Sequence, residues 1–528
     1  MRKCLRVACF AMLTALALPA NAKTGHFVLN FDCTNVPSNQ VYTIYNWKKN
    51  EAYMGGMTYG LTTTGSMPTY ITGGFEGVQF GSSQYQLKWD GIYFNLPFAG
   101  MKKLTLTLKG NYQGGQFWAG YTKDGGGNIT KFNYSVDTNN PANDRDVLTP
   151  VAEDLTEYTF HTADFNPVNG NLMFKIHSGS QVNKFYLRLQ KMDLTCDVAE
   201  IPDMLYTAVT STSPIDYAAS GLTAYGVTVK DGKAQLTPVS GLAAANSVVL
   251  VKGKQAATYP LVTTNSTTDT GTAVTSELKI SNGTVKGDGK TVFALGKDAN
   301  GIVGFSLVDN GTEVPDGTGY VTVTDATTST IPLVGQSLAV SAEGYGTLYD
   351  GTNNLSVPAG ATAYTYTVAN NQLLISKTYE EGSVIPKGTG VVIKAAEGDY
   401  DLPISAEPGE ADKANMLKGT DTEATTTGDG LFYMLSLNAT HDPGSIGFYW
   451  GAENGAAFIC AAHKAYLVAP ATATSAKGWS LDTATTGISH LTTGATNKAD
   501  DIYNLSGQRV DSSYRGIVIR GGKKYFNR

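Results

Sequence analysis

"TAYGVTVKDGKAQL", residues 223 to 236, and "TAYTYTVANNQLLI", residues 362 to 375, decide how this chain is read. The two stretches share a Thr-Ala-Tyr start and the alternating run behind it. Alternation with a period of two is a strand pattern, because successive side chains of an extended backbone point to opposite faces. Downstream the landmarks keep their order: "SVVLVKG" (247–253) falls with "GVVIKAA" (390–396) and Tyr259 with Tyr400. Gly304-Phe305 then matches Gly447-Phe448, Asn310-Gly311 matches Asn454-Gly455, and Tyr320 matches Tyr466. The offset drifts from 139 to 146, as loop insertions produce. The chain therefore holds two copies of one unit of about 135 residues, spanning 199–333 and 334–472.

Within each copy the β-branched runs "VVLV" and "VVI" and the turn pairs Asp231-Gly232, Asn310-Gly311 and Asn454-Gly455 predict short strands and tight turns. No helical periodicity persists beyond two turns. The alignment sets Cys460 opposite Val314, so its thiol is expected to act as a small buried hydrophobe. Trp450 falls at Leu307 or Val308 of the first copy, a packing position.

Residues 23–198 do not match the repeat. "HFVLNFDCT", "KKLTLTLKG", "GQFWAGYT", "TEYTFHTADF" and the closing "NLMFKIHSGSQVNKFYLRLQKMDLTC" are alternating or β-branched runs with frequent turns between them. That pattern predicts a jelly-roll-like antiparallel β-sandwich. First and last strands of such sandwiches often lie side by side; Cys33 is expected on the first and Cys196 on the last, so a Cys33–Cys196 disulfide is expected. Closing so long a loop would add roughly 5 kcal/mol at most in the chain-entropy picture.

Residues 1–22 read as a secretory signal: basic Arg2, Lys3 and Arg6, an apolar middle from Val7 to Leu18, and a small-x-small site at Ala20-Asn21-Ala22. No later run is long and apolar enough for a membrane helix. Without that segment the chain carries 36 basic and 45 acidic residues, a net of −9 with no basic stripe, which argues against nucleic acid as a partner. Charged residues are only 16% of the chain while glycines number 59, a balance that favours strands and tight turns over helices. Residues 473–500, "ATSAKGWSLDTATTGISHLTTGATNKAD" in context, are small, polar and Thr-rich and read as a linker.

The search for chemistry is mostly negative. The histidines show no metal-ligand spacing, and no HExxH, G-x-S-x-G, phosphate-cradling or dinucleotide-binding glycine motif occurs. No catalytic residue, metal or cofactor is expected. Acidic residues such as Asp90, Asp154 and Glu157 could serve glycoside hydrolysis only if paired across a cleft; they read as loop charges instead. Aromatic residues are denser. Trp89, Trp118 and Tyr121, the last two in "GQFWAGYT", are candidates for stacking on the flat C–H faces of sugar rings, against the alternative that they fill the sandwich core.

The last 28 residues, "DIYNLSGQRVDSSYRGIVIRGGKKYFNR", hold two short apolar runs and a basic, aromatic finish. Tyr503, Asn504, Leu505, Gly507, Gln508, Val510, Gly516, Ile517, Ile519, Gly522, Lys523 and Lys524 match a pattern that resembles the C-terminal sorting signal of type IX secretion. The resemblance implies recognition by an outer-membrane translocon of a Gram-negative bacterium and delivery to the cell surface or medium. At 501–528 the unit is shorter than such sorting domains usually are. The repeats, through "SVIPKGTGVVIKAAEGDYDLPI", "GFYWGAENGAAF" and "CAAHKAYLVAP", are similar to "IPAGKAYL" modules of large surface proteins in the same bacteria, which implies location rather than chemistry.

These readings combine into an all-β, non-catalytic surface protein. It comprises a signal peptide (1–22), a carbohydrate-binding-like sandwich (23–198), two tandem β-modules, a linker and a sorting tail. The expected partner is an extracellular glycan taken by the sandwich. The alternative is a structural or adhesive protein engaging a host or neighbouring surface protein, with a glycan-degrading hydrolase as the third reading.

Overall fold

The computed structural model describes residues 23–30, 44–46, 58–62, 71–72, 78–80, 90–111, 116–122, 130–131, 134–135, 156–162, 166–177, 186–324, 328–438, 445–471, 477–481, 502–504, 509–510, 514–520 and 523–527. Among them the chain is all-β: every regular element is a strand except one 3-10 turn at Glu453–Gly455, and the named strands pair antiparallel throughout. No described helix is long and apolar enough to cross a membrane.

The N-terminal part is built from two sheets. One runs Tyr134–Ser135, Thr156–Thr162, Lys103–Asn111, Tyr186–Ile201, Val78–Phe80, Ile71–Thr72, with Thr24–Asn30 also laid along Tyr186–Ile201. The other runs Ile44–Asn46, Thr58–Thr62, Asp90–Met101, Val168–His177, Gln116–Thr122, Thr130–Lys131. In Thr24–Asn30 the alternation of TGHFVLN becomes alternating burial, with Phe27 and Leu29 sealed and His26 exposed. Phe27 meets Phe98 at 5.9 Å between ring centroids, and Phe98 meets Phe94 at 6.0 Å. Phe94 and Phe98 come from the opposite sheet, so these rings join the two layers. Each ring buried this way is worth roughly 1.5–3 kcal/mol.

First and last strands of the sandwich lie side by side, Gly25 facing Cys196 and Asn30 facing Lys191. Among the described residues Cys196 carries a free, fully buried thiol, and Cys33, its expected partner, lies outside them. Burial, with Asp197 and Asp193 nearby, pushes the Cys196 thiol well above its ordinary range.

The two copies repeat sheet for sheet. Tyr206–Val209, Val249–Lys252, Thr223–Lys230, Lys233–Pro238 form a sheet in the first copy; Tyr345–Leu348, Val391–Lys394, Thr362–Ala369, Gln372–Tyr379 form it in the second. A five-stranded sheet follows in each: Lys279–Ile280, Gly319–Thr322, Val292–Lys297, Val303–Leu307, Thr330–Pro332 against Leu417–Thr420, Lys464–Ala469, Leu431–Ser436, Gly447–Trp450, Gly478–Ser480. Thr223–Lys230 and Thr362–Ala369 share the same in-out pattern from their second residue onward. Even a detail recurs: Lys252 lies 5.7 Å over the Tyr206 ring, and Lys394 lies 5.4 Å over Tyr345. Cys460 packs with Phe432 and Tyr466 as Val314 packs with Val292 and Tyr320, so it fills the slot expected of it. Trp450 packs against the second copy's core beside Trp479 and Leu431.

Two boundaries differ from the sequence reading. Tyr186–Ile201 is one 16-residue strand, and its end, Val198–Ile201, pairs with Ala257–Pro260 of the first copy. It plays the part that Val334–Val340 plays in the second copy, where the partner is Gly398–Ser405. The sandwich and first module thus share a strand, and Ala99 of the sandwich lies in the module's core with Ala199, Tyr259 and Leu261. At the other end, Gly478–Ser480 closes the second copy's five-stranded sheet, so that copy runs into the expected linker as far as Leu481.

The copies are also bonded to each other. Ile302 bridges Ser405, and Lys233 Nζ lies 2.8 Å from the Asp401 carboxylate. Within the first copy Ala234 bridges Leu333, its last residue before the second. Lys252 Nζ donates to Thr352 O and Asn353 Oδ1, both at 2.6 Å, and Tyr206 OH donates to Asn353 Oδ1 at 2.8 Å. In the tail, Arg509–Val510, Ile502–Asn504, Gly516–Arg520 and Lys523–Asn527 form a four-stranded sheet. This places Tyr503, Asn504, Gly516, Lys523 and Lys524 on strands, with Arg520 facing Lys523 across the Gly521-Gly522 connection. Leu505, Gly507, Gln508 and Gly522 lie outside the described residues.

Candidate functional site

Of the aromatic candidates, Trp89 lies outside the described residues. Trp118 and Tyr121 stand on the strand Gln116–Thr122, which pairs with Val168–His177 without a register shift, position 118 opposite Lys175. Tyr121 is half-buried and sits opposite Leu172, which is fully buried in the core. Glu157, read as a loop charge, stands within Thr156–Thr162 opposite Lys109, and Asp90 opens the strand Asp90–Met101; Asp154 is outside the described residues.

A concave feature lies where the sandwich runs into the first module. A groove of about 510 Å³ opens between the shared strand at Val198–Ile201, the edge strand Tyr206–Val209, and the turn at Asp316–Gly319. Its lining is partly aliphatic, with Val198, Ala199 and Val209 buried and Ile280 and Leu295 half-buried. The polar lining is Glu200, in an ion pair with Lys23, Asp316, Thr207, Thr318 and the buried Thr210.

The repeat explains why the space exists here. Ser211 O accepts from Asn246 N as Asp350 O accepts from Gly388 N, which fixes Thr210 as the counterpart of Tyr349. Ser281 O accepts from Gly317 N, and Thr420 O from His463 N, which matches Gly317 with His463. Ile280 faces Gly319 as Gly419 faces Ala465. In the second copy Tyr349 packs against Gly419, so close that a Cβ on Gly419 would sit 2.3 Å from the Tyr349 Cγ. His463 holds φ at +57° at that copy's turn, and its Nδ1 lies 3.1 Å from Gln336 Nε2. The first copy has Thr210 and Gly317 at these two places. The exchange runs both ways: Thr210 and Gly317 are smaller than Tyr349 and His463, while Ile280 carries a side chain where Gly419 has none.

The walls are held rigidly. Asp197, 7% exposed, accepts from Ser211 Oγ at 3.1 Å. Burial raises its carboxyl above the usual range, while Ser211 and Lys102 pull the other way. The second copy makes the same strand-to-loop contact with the chemistry exchanged: Gln336 Nε2 donates to the Asp350 carboxylate at 3.1 Å. Above Asp197, Gly100 holds φ at +60°, and a Cβ there would lie 2.3 Å from Asp197 Oδ1. Asn171 ties the sandwich to the module, donating to Phe94 O at 2.9 Å and accepting from Asn265 Nδ2 at 2.6 Å. Leu205 at the groove's end holds φ at +67° where a bulky residue is strained, because its side chain packs into two cores at once.

No cluster of metal-ligating residues occurs among the described residues. Sequence reasoning missed Glu200, Thr210, Asp316 and Gly317. Reading the repeat for its departures rather than its matches would have raised Thr210 and Gly317.

No family model matches the chain, and no curated protein does. Among solved structures it is similar to the N-terminal CBM22-1-CBM22-2 tandem domain of Xyn10C from Paenibacillus barcinonensis. That match has 10% identity over 74% of this chain and all of the other, at a TM-score of 0.18. At that score the similarity says nothing about what this chain binds.

Proposed function

We propose that this chain is a non-catalytic binding protein of the bacterial exterior, taking an extracellular glycan in the groove between sandwich and first module. One observation carries the reading: the groove at the join of sandwich and first module combines aliphatic, hydroxyl and carboxylate groups, and Gly317 leaves open the place that His463 takes in the second copy. Hydroxyls and carboxylates beside aliphatic groups suit a sugar, which presents hydroxyls at its edge and C–H groups on its faces. The signal segment and the type IX-like tail support export across both membranes and display at the surface, with the translocon as the tail's partner.

Affinity electrophoresis and a glycan array with the mature chain test the ligand. Retention by a polysaccharide, lost on Gly317→His, is the expected result; no retention by any glycan removes the glycan. A second reading, a structural or adhesive protein, is favoured by an open strand edge in the second copy.

A further inference from the structure

We infer that the edge strand Gln372–Tyr379 of the second copy is a self-association site, pairing antiparallel with the same strand of a second copy of this chain. The repeat supplies its own control. In the first copy the equivalent strand, Lys233–Pro238, is covered: Ala234 is fully buried and bridges Leu333, and Lys233 pairs with Asp401. In the second copy Gln372–Tyr379 is the last strand of its sheet, and among the described residues its outer edge joins no ladder or bridge. Leu374 is 43% exposed and Ile375 49%. Adjacent strand residues point to opposite faces, so both faces of the strand are open at 374 and 375, while Leu373 packs partly against the second copy's core. Trp479 Nε1 donates to Asn371 O at 3.1 Å and props the hairpin's tip.

The sequence of this edge lacks the usual protection. Unpaired strand edges are normally blunted by Lys, Pro or a covering segment. Residues 370–376, Asn-Asn-Gln-Leu-Leu-Ile-Ser, contain no charge and no proline, and the first charge is Lys377. Lys377, Ser376 and Tyr379 are bonded to Glu410 and Asp412, which leaves 372–375 as the open part. A second chain cannot cover it as the second copy covers the first. That contact uses the start of a module, and both starts are already engaged on two sides, Val198–Ile201 by Ala257–Pro260 and by the sandwich, Val334–Val340 by Gly398–Ser405 and, through neighbouring Leu333, by Ala234. What a second chain offers is the same open edge. A two-fold axis at Leu374 sets Leu374 against its counterpart and Leu373 against Ile375 of the other chain, aliphatic pairs on both faces.

The experiment is sedimentation velocity and light scattering on the mature chain over a concentration series, with Leu374→Lys and Leu374→Glu beside it. Position 374 is exposed, so both variants are expected to keep the wild-type melting profile. The wild type is expected to rise to twice the monomer mass, each variant alone to stay monomeric, and an equimolar mixture to recover the doubled mass, because opposite charges then meet at the axis. A wild type that stays monomeric, a dimer that survives Leu374→Lys, or a mixture that fails to recover would each overturn the assignment. None of these outcomes bears on glycan retention, which reads the other module.

Discussion

Lys252 gives the sharpest test of how the two copies are joined. Its ammonium belongs to the first copy, but its acceptors, Thr352 O and Asn353 Oδ1, belong to the second. Burial lowers it to about 8, with Asp350 opposing that shift and Lys387 adding to it. Burial alone would raise the Asp350 carboxyl, but hydrogen bonds from Asn353, Thr352 and Gln336 hold it below the ordinary range, so it stays ionised. For Lys252 the folded chain binds its proton less tightly than the unfolded chain, whose lysine titrates at 10.5. Stability from this group is therefore full above pH 10.5 and is lost as pH falls through about 8. Integrating that difference, the gain between pH 7 and 9.5 is about 2 kcal/mol. Urea unfolding of the mature chain at both pH values, followed by tryptophan fluorescence, measures it. Lys252→Met is the control, because it keeps Tyr206 and every other titrating group. The wild type should gain about 2 kcal/mol relative to the variant over that interval; equal pH dependence in the two proteins would refute the buried cation.

Three further outcomes follow from the same comparison of copies. Cys460→Val should change stability by less than about 1.5 kcal/mol, since Val314 fills the matching slot; calorimetry of both proteins checks it. Gly100→Ala combines positive φ with a clash against buried Asp197 and should cost about 2–4 kcal/mol, read from the urea midpoint. Native Cys196 should resist a thiol reagent until denaturant is added, because it is sealed and its thiol is held protonated; prompt labelling would show the shared strand to be loosely held.

Much of the fold could be read from alternation. Thr223–Lys230 and Thr362–Ala369 are strands because their side chains alternate, and Cys460 could be assigned because a second copy showed what its position holds. The shared strand could not. Residues 196 to 199 are buried on both faces, since two bodies pack against them, and no local pattern in Cys-Asp-Val-Ala announces a second neighbour. Gly478–Ser480 was read as linker because three residues carry no period, and its strand state comes from pairing with Gly447–Tyr449. The groove was invisible for a related reason: Thr210, Ile280 and Gly317 stand where the second copy has Tyr349, Gly419 and His463, and such an exchange of bulk becomes a signal only once the two copies are laid together.

The shared strand also sets how the chain would carry tension. A pull at the two ends of Tyr186–Ile201 runs along the strand axis. The ladders with Thr24–Asn30 and Lys103–Asn111 on one side of the junction and Ala257–Pro260 on the other are then loaded in shear, with many backbone bonds strained together. A flexible linker at residue 198 would have let the two bodies swing and take the load one at a time. Here the join itself resists extension, so a molecule held at one end and gripped at its groove would transmit force as a single stiff piece.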